Sequence, residues 1–526
     1  MFKHIIFYDI IKWRGKNMAN KEDNNAQIGN NKFFKIIVLV FNVCMALLFL
    51  YITYRTVFRN NRSIIALKPH FILIGCIFYT TLIYLLYRII NRFIKRKKIF
   101  ISILFAILIM VQIIFIVFFK VIPTRSWDFG TVFVIAKDYV NGVAQINSHE
   151  YLYIYNNNIG PTLLLSFFFF ISKLFHYTNY INIGYILNLL AINISLLYSY
   201  KIICMLFEEK YQKIFTFLLL TFSPFITYTP VIYTDTMGLF FATLACYHIV
   251  KHNLYNDNKN LIYAAIVIGL GINIKFTVII ILIAYIIYYI LCEKLDFKAI
   301  KKILLFIFIS MLPFLLLKVY INLTFDTKKL DKLSFPAVHW INMGLHGYGG
   351  YSPEIYIQTS SRKTKTGKIE YNKNEIKKTI KDYIKKDELI KFYTDKLTYI
   401  WGDGQYYIIQ QLERDPVFNH YIKDYILNDT KNKYFKIYCQ TQHVLLLISL
   451  ILGIIFGKYL DEKQRKLQLF LNICMIGLTL FLLLWEARSR YLVHYLPIIM
   501  LSGFIGIVAC ISFIKTKVVS YENEKH

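Results

Sequence analysis

The run NLIYAAIVIGLGINIKFTVIIILIAYIIYYILCE, at residues 260–293, is apolar for longer than one membrane crossing requires. A spanning helix needs about 20 apolar residues. Polar and flexible residues interrupt the run near its centre, at Gly269, Gly271, Asn273 and Lys275. Because irregular polar backbone is not stable in hydrocarbon, this pattern predicts two short helices that meet at a membrane surface.

Further apolar runs of suitable length occur along the whole chain, and together they predict about twelve transmembrane helices. They lie near residues 35–56, 68–91, 99–121, 180–206, 212–232, 236–251, 302–323, 443–458, 466–485 and 491–514. Of the 526 residues 57% are apolar and 17% are charged, a balance that is not typical of soluble domains. The sequence therefore predicts an all-α polytopic membrane protein.

Basic residues are in excess, with a formal charge of +30, and they fall mainly in short clusters between the apolar runs. Such clusters orient spans with their basic loops in the cytoplasm, so we expect no nucleic-acid partner. This rule places the N-terminus, Lys95–Lys98, Asp461–Lys466 and the C-terminal tail inside. It places the loop 122–178 and the polar block 325–441 outside.

The chain is expected to have four parts. They are an N-terminus with two spans, a transmembrane core that includes the outer loop, a small extracytoplasmic domain and the last three spans with their tail, at residues 1–98, 99–324, 325–441 and 442–526. Within the outer loop, the apolar run 159–175 is too short to span and predicts an interfacial helix. The extracytoplasmic block contains charged helical stretches such as 374–401.

Two aspartates stand at predicted outer ends of spans. Asp128 follows Trp127 and is placed to act as a general base at the mouth of a membrane cavity. The alternative is a solvated aspartate beside an interfacial tryptophan. Asp235 follows Tyr233 between two spans, where it could cap the helix that begins after it. Capping is compatible with a functional role.

Basic residues in unusual places form the other two candidate constellations. Lys275 lies in the span break, where a lysine either has a functional partner such as a lipid phosphate or extends to the interface. Arg488 and Arg490 lie on the predicted outer side against the orientation rule, which a phosphate ligand would explain. Alternatively, Glu486 pairs with one of them as a structural salt bridge. No Walker loop, His-Glu-x-x-His or Gly-x-Ser-x-Gly motif occurs.

In their order and common sidedness, these motifs resemble the GT-C superfamily of membrane glycosyltransferases. The likeness is greatest to the protein O-mannosyltransferase and aminoarabinose-transferase branch and its Gram-positive relatives. It covers about residues 99–514 and rests on Ser126–Gly130, Asn156–Pro161, Ser223–Asp235, Gly269–Lys275, Met343–Glu354 and Arg488–Tyr491. The sequence departs from the superfamily in having one clear aspartate in the first outer loop and Phe276 after the lysine.

The resemblance implies sugar transfer, with inversion, from a polyprenyl-phosphate donor to a hydroxyl acceptor at the outer face of the cell membrane. The acceptor would be an envelope polysaccharide, teichoic acid, lipid or protein. Asp128 would be the general base, and Asp235 would position Asp128, the acceptor or a cation. Further substrate-binding residues would be Trp127, Asn157, Asn158, Tyr233, Lys275, His339, Glu486, Arg488, Arg490 and Tyr491. No cofactor is required, and a divalent cation is compatible with the site.

Two other functions remain open. One is a flippase or transporter of lipid-linked sugars, which also uses charged residues within spans. The other is a non-catalytic partner in wall assembly that uses the exported block for protein contacts. A transferase predicts that the four constellations converge, whereas a transporter would arrange them along a path through the bilayer.

Overall fold

The computed structural model describes residues 32–59, 67–293, 295–414, 421–428 and 430–524. Over these ranges the chain consists of helices and loops, without a strand. The predicted all-α class is therefore confirmed. The predicted cytoplasmic N-terminus lies, up to residue 31, outside the described residues.

The described α-helices are numbered in chain order. They are α1 (Lys32–Phe58), α2 (Pro69–Phe93), α3 (Lys97–Phe118), α4 (Asp128–Val140), α5 (Glu150–Ile154), α6 (Ile159–Leu174), α7 (Tyr180–Leu206), α8 (Glu209–Thr221), α9 (Pro224–Thr227), α10 (Thr234–Tyr255), α11 (Asn258–Ile274), α12 (Ile279–Cys292), α13 (Phe297–Thr324), α14 (Thr327–Leu333), α15 (Ala337–Met343), α16 (Pro353–Ser360), α17 (Lys365–Lys385), α18 (Leu389–Trp401), α19 (Ile408–Leu412), α20 (Asp424–Leu427), α21 (Lys433–Phe456), α22 (Glu462–Leu484) and α23 (Leu496–Glu524). Short 3-10 helices cover Ile146–Ser148, Asn156–Asn158, Phe276–Val278, Tyr421–Lys423, Gly457–Tyr459 and Ser489–Tyr495.

Eight of the described helices are long and apolar enough to cross a membrane, by length and composition. They are α1, α2, α3, α7, α13, α21, α22 and α23. The remaining predicted crossings coincide with α8, α10, α11 and α12, which are shorter or more polar. The predicted interruption of the long apolar run is confirmed, because α11 ends at Ile274 and Lys275 has extended backbone before the next helical turn.

The core of the protein is built from central helices that pack against one another. The most extensive contacts are those of α21 with α23, of α10 with α11 and α7, and of α11 with α13. The short helix α6 packs on α4, where the rings of Phe133 and Phe169 meet edge to face at 5.0 Å. Its interfacial position in a membrane stays a prediction.

The polar block 325–441 shares its buried side chains with the rest of the protein. Leu397, Ile400 and Trp401 belong to the same apolar cluster as the central helices. The predicted helical stretch 374–401 is divided between α17 and α18, since Asp387 between them has a φ of 56°. A left-handed residue cannot continue a right-handed helix.

The two N-terminal spans brace this block. Helices α1 and α2 both pack on α21. The ring of Phe49 on α1 meets that of Trp401 edge to face at 5.3 Å. Near the end of α1, Arg55 pairs with Asp395 of α18 at 2.7 Å between Nη2 and Oδ1. Helix α1 therefore holds α18 in place from one side.

Candidate functional site

A stack of alternating side chains joins three of the constellations that the sequence predicted to converge. The rings of Trp127 and Tyr233 lie parallel, 5° apart, with centroids separated by 5.7 Å. The guanidinium of Arg490 lies 4.6 Å from the Tyr233 ring centroid on one flank. That of Arg414 lies 4.7 Å from the Trp127 ring on the other. Such cation–π contacts fix both arginines against flat aromatic surfaces.

The fourth constellation, around Lys275, is connected to the others through an ion pair with Asp235. Lys275, at the break between α11 and α12, places Nζ 2.5 Å from Oδ1 of Asp235. The same ammonium lies 4.7 Å from the ring centroid of Tyr491. Asp235 is fully buried, and its second oxygen, Oδ2, has no hydrogen-bond partner among the described residues.

One interpretation made from the sequence fails at this pair. The prediction that Asp235 caps α10 is wrong, because the helix begins at Thr234 with Tyr233 at the cap and no side-chain cap bond. Asp235 instead lies in the first turn and binds the ammonium. The charge of Lys275 therefore has a buried carboxylate as its partner within the protein. Burying an ion pair between two apolar helices is costly, and such pairs commonly mark functional sites.

The arginine-bearing segment follows α22 and forms a 3-10 helix over Ser489–Tyr495. Glu486 is buried, and burial raises its pKa while Arg488 and Arg490 oppose that shift. The expected salt bridge with Arg488 is long, with 3.9 Å between Nε and Oε1. The hydroxyl of Tyr491 donates to Glu486 at 3.4 Å. Among the described residues, Nε of Arg488 and Nε of Arg490 have no hydrogen-bond partner.

Asp128 is exposed at the mouth of this cluster as the first residue of α4. Its backbone carbonyl accepts a hydrogen bond from Tyr151 Oη at 3.3 Å. Asn158 donates to the same tyrosine at 2.7 Å, and Asn157 donates in turn to Asn158 at 3.3 Å. The charge of Asp128 also contributes to the raised pKa of Glu486, behind burial. The carboxylate is thus open to solvent and close to the buried acid.

Sequence reasoning missed a strained turn that supports the arginines. Tyr406 and Tyr407 both have left-handed backbone, with φ of 53° and 65°. The Asp403 carboxylate stabilises this turn by accepting from the amides of Gln405 and Tyr407. It also accepts from the Ser489 hydroxyl at 2.7 Å, which ties the turn to the arginine-bearing segment.

The turn presents Tyr407 to Arg488. The phenolic oxygen accepts from Nη1 at 2.5 Å, and the guanidinium lies 5.0 Å from the ring centroid. Left-handed backbone at two adjacent tyrosines costs free energy and is found where surrounding contacts enforce it, often at functional sites. The only sequence signal was the polar motif Trp401-Gly402-Asp403-Gly404 within the polar block 325–441.

Two glycines of the polar block 325–441, Gly344 and Gly349, have a structural explanation. A side chain on Gly344 would meet the Trp485 carbonyl at 2.6 Å, and Gly349 has a φ of +85°. This close approach allows the amides of Glu486 and Ala487 to donate to the carbonyls of Trp340 and Gly349. The loop therefore holds the segment after α22 by backbone hydrogen bonds.

Lys396 holds the same segment in place, because it bonds to the loop at Gly344 and to the end of α22. It is fully buried, and its ammonium donates to the carbonyls of Gly344, Leu483 and Trp485 at 2.7 to 2.9 Å. All three ammonium hydrogens are thereby used. This lysine is a positioning residue for the arginine-bearing segment, and nothing in its local sequence distinguishes it from Lys391, the other lysine of α18.

His339 does not join the cluster through any described contact. Its Nδ1 lies 2.9 Å from the Thr359 hydroxyl, and its ring stacks on Phe335. Burial, with Lys368 nearby, lowers its pKa to about 4. Its neighbour Trp340 reaches the site instead, through the backbone bond to Glu486.

The other residues predicted from the sequence converge. Contacts or charge interactions connect Trp127, Asp128, Asn157, Asn158, Tyr233, Asp235, Lys275, Glu486, Arg488, Arg490 and Tyr491. Arg414, which was not predicted from the sequence, also contacts this group of residues through the ring of Trp127. Among the described residues, no group of three or more His, Cys, Asp and Glu side chains is arranged to hold a metal ion.

Comparison with known proteins assigns the chain at the level of its family. Residues 23–511 match a family of conserved hypothetical integral membrane proteins. The chain belongs to this family. No curated protein and no solved structure matches it. The match extends over nearly all the described helices.

Proposed function

We propose that this protein is a membrane glycosyltransferase that moves a sugar from a polyprenyl-phosphate donor to a hydroxyl acceptor. The observation that supports this most is the convergence of distant polar segments on one end of α10. An exposed carboxylate, Asp128, lies there next to Trp127, whose ring contacts Arg414 and stacks on Tyr233. Arg490 lies against the ring of Tyr233. A base next to a cationic, aromatic surface suits attack by a hydroxyl with departure of a phosphate.

The acceptor chemistry is assigned to Asp128. Its carboxylate takes the proton of the acceptor hydroxyl as the acceptor oxygen bonds to the anomeric carbon. The bond from that carbon to the phosphate oxygen breaks, and the lipid phosphate leaves with the electron pair. Attack opposite the leaving group inverts the anomeric configuration. Solvent exposure of Asp128 gives the acceptor a route to the base.

The leaving phosphate is assigned to the arginines rather than to Lys275. The charge of Lys275 is already matched by Asp235 at 2.5 Å. Arg490 and Arg488 are held against aromatic rings, with Nε free of hydrogen bonds within the described structure. Planar guanidinium groups fit phosphate oxygens in pairs. Asp235 then serves the reaction indirectly, by fixing Lys275 beneath Tyr491.

Replacing Arg488 or Arg490 with Ala is expected to weaken donor binding by about 1.5 to 3 kcal/mol, the value of a charge-assisted hydrogen bond. Binding of a polyprenyl-phosphate sugar to purified variants measures this. Arg125→Ala is the matched control, because Arg125 lies on the same predicted face but pairs with Asp138. Unchanged donor affinity in both variants would leave the two arginines with a structural role alone.

Arg414→Gln is expected to reduce donor affinity about tenfold or less, because it removes a partly buried cation beside Trp127 and Asp128. Arg414→Lys retains the charge without the planar stack, and we expect an intermediate affinity. Titration with the same donor tests both variants. Equal affinity of the Gln variant and the wild type would remove Arg414 from the site.

The site is proposed to face the outside of the cell membrane. Cysteine introduced at Ser126 or Ser352 should then react with a membrane-impermeant thiol reagent in intact cells. Cysteine introduced at Lys463, at the other end of α22, should react after lysis. The reverse pattern would place the site in the cytoplasm.

Proteoliposomes distinguish the proposal from a transporter of lipid-linked sugars. The protein is reconstituted with a labelled polyprenyl-phosphate sugar and a soluble acceptor. A transferase forms a covalent sugar–acceptor product. A transporter moves the labelled lipid between leaflets without such a product, and a non-catalytic partner does neither.

A further inference from the structure

A cavity lies at the opposite end of the bundle from the candidate site. It has a volume of about 220 Å³ and opens among the ends of α7, α10, α12 and α22. Val250, which lines it, is about four helical turns along α10 from Asp235, or roughly 23 Å. The two sites are therefore independent in space.

The floor of this cavity is apolar. The buried side chains of Val250, Tyr288, Leu467 and Phe470 form it, with the rings of Tyr288 and Phe470 edge to face at 5.8 Å. An apolar cavity of roughly 150 Å³ accepts a molecule the size of benzene. The space is thus sufficient for part of a hydrocarbon chain.

The mouth of the cavity carries a net positive charge. Lys463 and Lys466 line it together with Glu462. Lys463 is exposed, and its side chain forms no described hydrogen bond, although its charge interacts with Asp461. Lys466 pairs with Glu462 at 3.0 Å. A hydrogen bond from Gln464 to the Leu206 carbonyl, at 3.1 Å, closes the rim between α22 and α7.

From this arrangement we infer that the cavity binds an anionic phospholipid, with its phosphate at Lys463, beside the Lys466–Glu462 pair, and part of one acyl chain on the apolar floor. The loop at this end, Asp461–Lys466, is one that the positive-inside rule assigns to the cytoplasm. Anionic lipids are concentrated in that leaflet, and basic pockets between helices bind their headgroups. An apolar floor beneath an exposed lysine matches both halves of such a lipid.

The test uses the purified full-length protein in a neutral detergent, with native mass spectrometry to count bound lipid. Phosphatidylglycerol should bind about tenfold more tightly than phosphatidylcholine. The double substitution Lys463→Gln, Lys466→Gln should abolish this preference. Lys458→Gln, which removes a charge just before α22 but outside the cavity lining, should leave it unchanged.

Two further measurements distinguish a lipid phosphate from free phosphate and control for misfolding. Lys463→Glu changes an exposed residue, so it should fold normally and still lose the preference. Displacement of phosphatidylglycerol by millimolar inorganic phosphate would identify a free phosphate as the ligand and overturn the lipid assignment. Equal binding of both lipids, or unchanged preference in the lysine variants, would also overturn it.

Discussion

Asp128→Asn is expected to reduce sugar transfer by about 10² or more while donor binding survives. The substitution retains the size and hydrogen bonding of the side chain but removes the proton acceptor, and general-base catalysis contributes about 10² to 10⁴ in rate. Asp128 is exposed and its backbone is held by Tyr151, so the fold should tolerate the change. Single-turnover transfer with purified protein measures the loss.

The matched control is Glu150→Gln, which neutralises another exposed carboxylate of the segment 122–178. It should transfer sugar at the wild-type rate. Near-normal transfer by the Asp128 variant would remove it as the base. Attention would then move to Glu486, the buried carboxyl beside it whose pKa burial raises.

Asp235→Asn is expected to destabilise the protein by about 3 to 5 kcal/mol, because it leaves the Lys275 ammonium buried without its partner. Both side chains are largely buried, at 1% and 15% exposure, so solvent screens the pair little. Thermal unfolding in detergent should show a clearly lowered midpoint.

The double variant Asp235→Asn, Lys275→Met should recover much of that stability, since no unpaired charge remains. Breaking the exposed pair between Lys365 and Asp331 with Lys365→Met serves as the control and should change little. If the single Asp235 variant unfolds like the wild type, the pair does not hold the site together.

The membrane fold could be predicted because its signals are local. Apolar length alone located the spans, and the polar residues around Lys275 located the break between α11 and α12. The order of the polar motifs identified most of the residues that now lie together. The sequence could not show that Asp235 binds Lys275, because a charged partner on another helix outweighs a cap worth about 1 kcal/mol.

The missed residues depend on tertiary contacts. Arg414 joins the site through its stack on Trp127, which is distant in sequence. Asp403 acts through a left-handed turn whose backbone no local propensity favours. The resemblance implied that His339 lies at the site, yet its ring contacts Thr359, while the adjacent Trp340 makes the contact with the site.

The most direct measurement is the anomeric configuration of the product formed by the purified protein. Incubation with a panel of polyprenyl-phosphate sugars, each of known linkage, is followed by nuclear magnetic resonance of the transferred sugar. We predict a covalent product from at least one donor, with the configuration inverted by direct attack on the anomeric carbon. A product with retained configuration would contradict the role of Asp128, and no covalent product from any donor would contradict the transferase itself.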